Sequence, residues 1–385
     1  METCATIQEA IAYLLTTERE DKDFYNTLYQ LAEQWGQSVG CPPPQPDTGL
    51  GYLFDLNEWI GYTKALLEQR CPLPPLGEVG INLDGQFFNL MKLIESTSVH
   101  QIEEYMVDSF KKIDEINRRE IQNYARRFPM WGDIDYRTGR GSMVIERANC
   151  LKEHREDFIW LYNRLCDHRS RYTLVAILKY WIGYNFEFLG RCKEMLFPDY
   201  FDPDILPISK DEVIADVGAY IGDTAFQFAQ SYEKCKKMYC YEIDPGNAEK
   251  ARKNTQKFPF VEIRQKAVSD HNGTLWLNLN SDDSSASQVT EKGSVEVPAV
   301  TLDDDIKEPL TLIKMDIEGA EQAALRGCKR HIVQDKPKLA ICTYHGNQDI
   351  WQIPRMIDAI RNDYKFYMRF NGGNLFPTEY VFFAI

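Results

Sequence analysis

Residues 214–225 read IADVGAYIGDTA: an apolar run carries Asp216 near its end, and Gly218 and Gly222 follow with three residues between them. A strand that turns at once into a helix opens a parallel sheet, and such sheets bind ligands beyond the carboxyl ends of their strands. The dinucleotide fingerprint needs G-x-G-x-x-G, whose middle glycine lets a pyrophosphate approach the backbone. Tyr220 stands at that place here, which argues against NAD or FAD. S-adenosylmethionine carries no phosphate, and its methionine moiety carries an amine and a carboxylate. Asp216 is read as the partner of that amine, and Gly218, Ala219, Tyr220 and Gly222 as the turn against which the cofactor lies.

The chain downstream agrees. YCYEIDP carries Glu242, 26 residues after Asp216, where an acid can accept both ribose hydroxyls. Asp244 and Pro245 read as the N-cap and first residue of the next helix. In KAVSDHNGTLWL, Asn272-Gly273 reads as a tight hairpin turn, and Asp270 as a partner of the adenine amino group or a stabiliser of that turn. The string IKMDIEGAEQAALRG crowds Asp316, Glu318 and Glu321 around a strand end and the start of a helix, a place where the helix dipole alone favours acids. CTYHGNQDIW then brings Tyr344 and His345 to the same edge. The candidate catalytic groups are His345 and Asp316, since an imidazole with its ordinary pKa near ~6.5 is mostly neutral and can take a proton. No metal constellation is read, although Asp316 with Glu318 could hold a divalent cation through oxygen ligands.

The remainder of the 385 residues sets the frame. Hydrophobic residues make up 44%, enough for a sizeable core, and the net charge of −14 repels phosphate backbones and anionic lipid. A small or neutral substrate is therefore expected, rather than nucleic acid. Ten cysteines without a CxxC pair read as thiols of a reducing compartment. The longest apolar run, LVAILKYWIGY, is too short to span a bilayer, and with no leader pattern at Met1–Glu9 a cytoplasmic protein is expected.

Residues 1–140 read as a helical region of unknown role, 141–205 as a helical lead-in and 206–385 as the catalytic α/β domain. In the first, TIQEAIAYLL places Ile7, Ala10, Ile11 and Leu14 on one face. Proline-rich breaks start at Cys41 and Cys71, and one long helix is expected over 100–128. With no clustered nucleophile, base or metal motif, this region is expected to select substrate or to form a homodimer. The final runs, YKFYMRF and EYVFFAI, read as an antiparallel pair closing the sheet.

Together VIADVGAYIGDTAF, YEIDP, KAVSD, VTLDD and IKMDIEGAEQAALRG resemble the FkbM family of S-adenosylmethionine-dependent methyltransferases. The resemblance covers about 164–385. It implies a class I, Rossmann-like methyltransferase sheet with helices on both faces, and methyl transfer to a hydroxyl of a sugar or secondary metabolite. It also assigns Asp216, Gly218 and Gly222 to the first cofactor motif and Glu242 to the ribose. Two other classes stay open: a non-catalytic binding module on this fold, and a nicotinamide oxidoreductase, which Tyr220 disfavours.

Overall fold

A computed structural model describes residues 5–11, 22–46, 52–53, 56, 59–60, 63, 83–207, 211–231, 235–278, 288–290, 295–373 and 375–385. Leu14 and the proline-rich break at Cys71 lie outside them. Contacts divide the chain into two units, Met1–Asn82 and Leu83–Ile385.

In the first unit, a helical turn over 5–11 and helix α1 (Lys22–Val39) bury Ile7, Leu28 and Trp35 in one apolar cluster with Leu56 and Ile60. The indole N–H of Trp35 donates to Thr63 Oγ1 at 2.9 Å.

The second unit begins with helices α2 (Leu83–Ser96), α3 (Val99–Lys111) and α4 (Glu115–Arg127). The single helix expected over 100–128 is thus two. Asp114 takes an extended backbone and accepts the Asn117 N–H, so α4 starts afresh with its own cap. A 3₁₀ turn (Pro129–Trp131) follows, then α5 (Ser142–Glu153), α6 (Arg155–Arg164), α7 (His168–Gly183) and α8 (Phe186–Arg191). Helix α3 packs on α5 and α7, and α2 on α6 and α7. The contact boundary therefore falls at residue 82 rather than near 140. Helix α7 is buried along most of its length, so it needs neighbours on several sides.

The α/β domain alternates as its apolar runs foretell. Strand β1 (Val213–Val217) leads to α9 (Asp223–Ser231), β2 (Lys237–Tyr241) to α10 (Pro245–Thr255), and β3 (Val261–Arg264) to β4 (Ala267–Val268). Next come β5 (Gly273–Asn278), β6 (Gln288–Thr290), β7 (Val295–Val300), α11 (Leu302–Asp305) and β8 (Leu312–Met315). Helices α12 (Glu321–Arg326) and α13 (Lys329–Gln334), β9 (Lys338–Cys342), α14 (Asp349–Ile360), β10 (Phe366–Phe370) and β11 (Tyr380–Ala384) complete the chain. The main sheet has seven strands in the order β3-β2-β1-β8-β9-β11-β10. All neighbours are parallel except β11, which runs antiparallel to both β9 and β10. Every residue of β1 is buried, as a strand covered on both faces must be.

Strands β4–β7 form a separate four-stranded sheet in the order β4-β7-β5-β6. The hairpin expected at Asn272-Gly273 is therefore not one, because β7 lies between β4 and β5. Asn272 instead bonds outward: its side chain accepts the Thr301 N–H at 3.0 Å and donates to Asp304 Oδ2 at 2.7 Å. At the far edge, the helical lead-in is tied to β10. Buried Arg369 bonds Asp202 Oδ2 at 2.7 Å and Asp167 Oδ2 at 2.8 Å, while Cys166 and Glu194 donate backbone N–H groups to Phe366 and Phe370.

Gly218 holds the centre of the sheet. Its φ is +84°, and a Cβ there would lie 1.8 Å from the Asp316 carbonyl oxygen. Gly218→Ala is expected to lower stability by more than ~2 kcal/mol, combining left-handed backbone cost with that clash. Gly190→Ala, in α8 with open space around it, serves as the control in urea denaturation. Equal midpoints for the two variants would mean that the turn tolerates a side chain.

Candidate functional site

A cavity of about 500 Å³ opens at the carboxyl edge of the main sheet, within the ordinary size of a small-molecule site. It is bounded by Gly218, Tyr220, Glu242 and Ile243, by Lys266–Val268 after β3, by Asp316–Ala320 after β8, and by Tyr344 after β9 and Glu379 before β11.

The glycine turn is held by backbone pairing. Gly218 and Ala219 donate N–H groups to the Tyr241 carbonyl at 3.0 and 2.9 Å. Tyr220, at φ 48°, donates its N–H to Glu242 Oε2 at 2.8 Å, and Asp244 donates to the other oxygen, Oε1, at 2.8 Å. Burial pushes the Glu242 carboxyl up to about 7, against the pull of these two N–H bonds. Of the residues assigned to the cofactor, Gly218, Tyr220 and Glu242 border the cavity.

The others stand elsewhere. Gly222 has a φ of +80°, and a Cβ there would press on Ala251 at 3.1 Å, so it serves the packing of the turn on α10. Ala219 is buried and does not border the cavity. Asp270 points away: Arg326 Nε donates to it at 3.0 Å and His271 Nδ1 lies 2.8 Å from it. Asp216, read as the partner of an amine, is fully buried and pairs instead with Lys314 Nζ at 3.1 Å. The register explains the pairing, since Asp216 and Lys314 are direct neighbours on β1 and β8. Lys314 Nζ also donates to the Gly218 carbonyl at 2.7 Å. Burial opposes its charge, but Asp216 and then Asp316 outweigh that and keep the ammonium protonated.

At the end of β8 Asp316 is a hub. The Tyr200 hydroxyl donates to Oδ2 at 2.9 Å, the Tyr344 hydroxyl lies 3.3 Å from Oδ1, and His345 Nε2 lies 3.4 Å from Oδ1. Burial would raise its pKa, but His345, Lys314 and the Tyr200 bond together hold it below the usual carboxylate range. The expectation of a neutral, cavity-facing His345 is corrected. The imidazole is 3% exposed, stands behind Tyr344, and carries Glu321, Asp316 and Glu318 around it. Burial lowers its pKa, yet contact with Glu321 and the other two acids drives it up to about 10. Contact with these acids therefore favours the protonated ring over the neutral form expected from the sequence. Glu321 is structural as well, accepting the N–H groups of Ile317 at 2.8 Å and Gly319 at 3.1 Å.

Sequence reading missed Glu379. Burial, then the charges of Asp316 and Asp199, raise its carboxyl to about 8, and the Tyr344 hydroxyl bonds Oε1 at 3.1 Å. Nothing in PTEYVFFAI marks this residue, because its placement comes from β11 inserting between β9 and β10. Lys314 did carry a signal: a lysine inside the apolar run LTLIKMD demands a buried counter-ion. Also missed was an aromatic wall. Tyr124 from α4 and Phe128 just beyond it, with Met130 and Trp131, border the cavity. Tyr124 stacks on Trp131 at 5.7 Å, and the Trp131 indole N–H donates to the Tyr344 carbonyl.

Comparison with known proteins points one way. Residues 216–369 match the family described as the methyltransferase FkbM domain. The 2-O-methyltransferase NoeI of Sinorhizobium fredii is 26% identical over 165 residues, 37% of this chain and 66% of that protein. The crystal structure of methyltransferase FkbM from Methylobacillus flagellatus KT superposes with a TM-score of 0.55 at 24% identity, covering 69% of this chain and 66% of the other. The chain thus spans just under two thirds of the length of each. Among the described residues no helix is long and apolar enough to cross a membrane.

The Asp216–Lys314 pair supplies a test of this site's foundation. Lys314→Met is expected to destabilise the protein by roughly 3–5 kcal/mol, because it leaves a buried carboxylate uncompensated. Adding Asp216→Leu should recover much of that loss. A double-mutant cycle by chemical denaturation checks this, and strictly additive losses would mean the two residues are not coupled.

Proposed function

Because residues 216–369 match the methyltransferase FkbM domain family, we propose that the chain transfers a methyl group from S-adenosylmethionine to a hydroxyl of a sugar or similar small molecule. The observation that carries this reading is the position of Glu242. It faces the cavity beside the glycine turn, with both oxygens already anchored on backbone N–H groups and free lone pairs left for ribose hydroxyls.

The residues present fit such a cofactor in part. Glu242, Gly218 and the Lys266–Val268 segment would hold the adenosine, while Asp216 cannot take the amine because Lys314 occupies it. Asp199 and Asp223 border the cavity and would face the cationic methionine end. When bound, S-adenosylmethionine supplies an electrophilic methyl on sulfur. The chain's part is to orient the acceptor and to take its proton. Glu379 would take the proton in its ionised form, whose share grows as the pH rises through about 8, as a cavity carboxyl bonded by the Tyr344 hydroxyl. The wall of Tyr124, Phe128 and Trp131 offers flat apolar faces to a ring, with carboxylates nearby to bond its hydroxyls. The 2-O-methyltransferase NoeI, by its name, methylates an oxygen, and this supports a hydroxyl acceptor here.

Two measurements check the assignment. Glu242→Gln should weaken S-adenosylmethionine at least ~10-fold in isothermal titration, the scale of a lost charge-assisted bond. Unaltered affinity in a folded variant would remove Glu242 from the cofactor site. Once a screen of hydroxylated acceptors yields turnover, Glu379→Gln should lower kcat by ~10²-fold or more with cofactor affinity retained. Near-full kcat would pass the proton to another group.

A further inference from the structure

One hydroxyl at the carboxyl edge of the sheet stands between two carboxylates. Tyr344, after β9, has its oxygen 3.1 Å from Glu379 Oε1 and 3.3 Å from Asp316 Oδ1. A phenol has a single proton to donate, so it bonds one acid at the expense of the other. The two acids do not depend on it equally. Asp316 Oδ2 also accepts the Tyr200 hydroxyl at 2.9 Å, and His345 Nε2 stands 3.4 Å from Oδ1. Among the described residues, Tyr344 is the one donor that bonds the Glu379 carboxylate. Neighbours fix both partners. The Tyr344 ring is 6% exposed, packs on the His345 ring at 4.2 Å and meets Tyr380 edge-on at 5.8 Å. Glu379 has a φ of 56°, in the left-handed region that is rare for a residue with a side chain, and such outliers gather at functional sites. Tyr344, Glu379 and Asp316 all border the cavity.

We propose that Tyr344 is a positioning residue for proton removal, its hydroxyl bonded to Glu379 before the acceptor's proton arrives and turned to Asp316 afterwards. This rests on the reading of Glu379 as the base. As the acceptor's O–CH₃ bond forms, its O–H bond breaks, the electron pair of the C–S bond stays on sulfur, and the proton passes to Glu379. While both acids are ionised, the shorter contact and the lack of another donor favour a bond to Glu379. A hydrogen bond to an ionised group is roughly twice as strong as one to a neutral group. Once Glu379 is neutral, Asp316 is therefore the better acceptor, for His345, Lys314 and the Tyr200 bond hold it ionised against its burial. The change is a rotation about the C–O bond, and no covalent bond of Tyr344 breaks. The groups that face Glu379 are Asp316 from the end of β8, Asp199 ahead of β1, and Tyr344 with His345 after β9. Burial, then Asp316 and Asp199, oppose its ionisation, while the Tyr344 bond and His345 favour it. Loss of the hydroxyl therefore leaves the carboxyl protonated to higher pH.

Carbon-13 NMR of the full chain, labelled at glutamate carboxyls and tyrosine ring carbons, tests this without cofactor or acceptor. Glu379→Gln and Tyr344→Phe assign the two signals. In the wild-type chain the Glu379 carboxyl should titrate at about 8, and the hydroxyl-bearing carbon of Tyr344 should shift at the same midpoint. A wild-type Tyr344 signal indifferent to that titration would overturn the proposal. In Tyr344→Phe, shown to be folded by circular dichroism, the Glu379 midpoint should rise by roughly one unit, the scale of a lost bond to a charged group. An unmoved midpoint would overturn the proposal. So would an equal rise in Tyr200→Phe, which removes a donor of Asp316 but none of Glu379, since the whole network rather than one hydroxyl would then set the carboxyl. With an acceptor in hand, the kcat–pH profile of Tyr344→Phe should move up by the same amount, a loss of about 10-fold at neutral pH, with S-adenosylmethionine affinity retained. Full kcat in Glu379→Gln would overturn the base reading and this proposal together. A fixed midpoint in Tyr344→Phe beside an inactive Glu379→Gln would overturn this proposal alone.

Discussion

The carboxyl edge of the sheet depends on how closely β1 and β8 come together where they end. Gly218 lies so near the Asp316 carbonyl that no side chain fits between them. Beside it, the buried Asp216 and Lys314 pair with each other, and Lys314 reaches on to the Gly218 carbonyl. One lysine thus joins the strand that carries the glycine turn to the strand that carries the acidic loop. The two halves of the cavity cannot drift apart without exposing a charge to the core.

Charge is arranged in depth around that joint. The deepest acid is spent on the lysine, while Glu242 and Glu379, nearer the cavity, are raised towards neutrality by burial. Asp316 is lowered by His345 and Lys314 against its own burial. Residues of one chemical type are thereby given different protonation behaviour by their neighbours. The acidic loop needs Glu321 for its shape, so part of the acidity that stands out in the sequence is architecture.

Much of the fold was legible because it follows from periodicity. Buried parallel strands read as apolar runs, Asp244-Pro245 announced a helix, and the last two runs paired antiparallel as expected. The hairpin at Asn272-Gly273 failed because the same dipeptide also serves in a turn whose flanking strands never touch. The break at Asp114 was hidden inside a continuous helical pattern. At the site, spacing located the strand ends and hence Gly218, Glu242 and Asp316. It did not tell which way a side chain looks, so Asp216 and Asp270 were assigned to ligands when each already has a protein cation. The state of His345 was likewise out of reach, for it is set by three acids meeting only in space.

The aromatic wall has a consequence for how such a protein can diversify. Tyr124, Phe128 and Trp131 lie well ahead of the stretch that matches the family, yet they border the same cavity as the glycine turn. Trp131 is fastened to the strand end through the Tyr344 carbonyl, but its neighbours on α4 hold no sheet position. Substitutions there alter the shape offered to an incoming molecule while the joint between β1 and β8 is untouched. The shape of that side of the cavity can therefore be altered by substitution without disturbing the contact between Gly218 and Asp316.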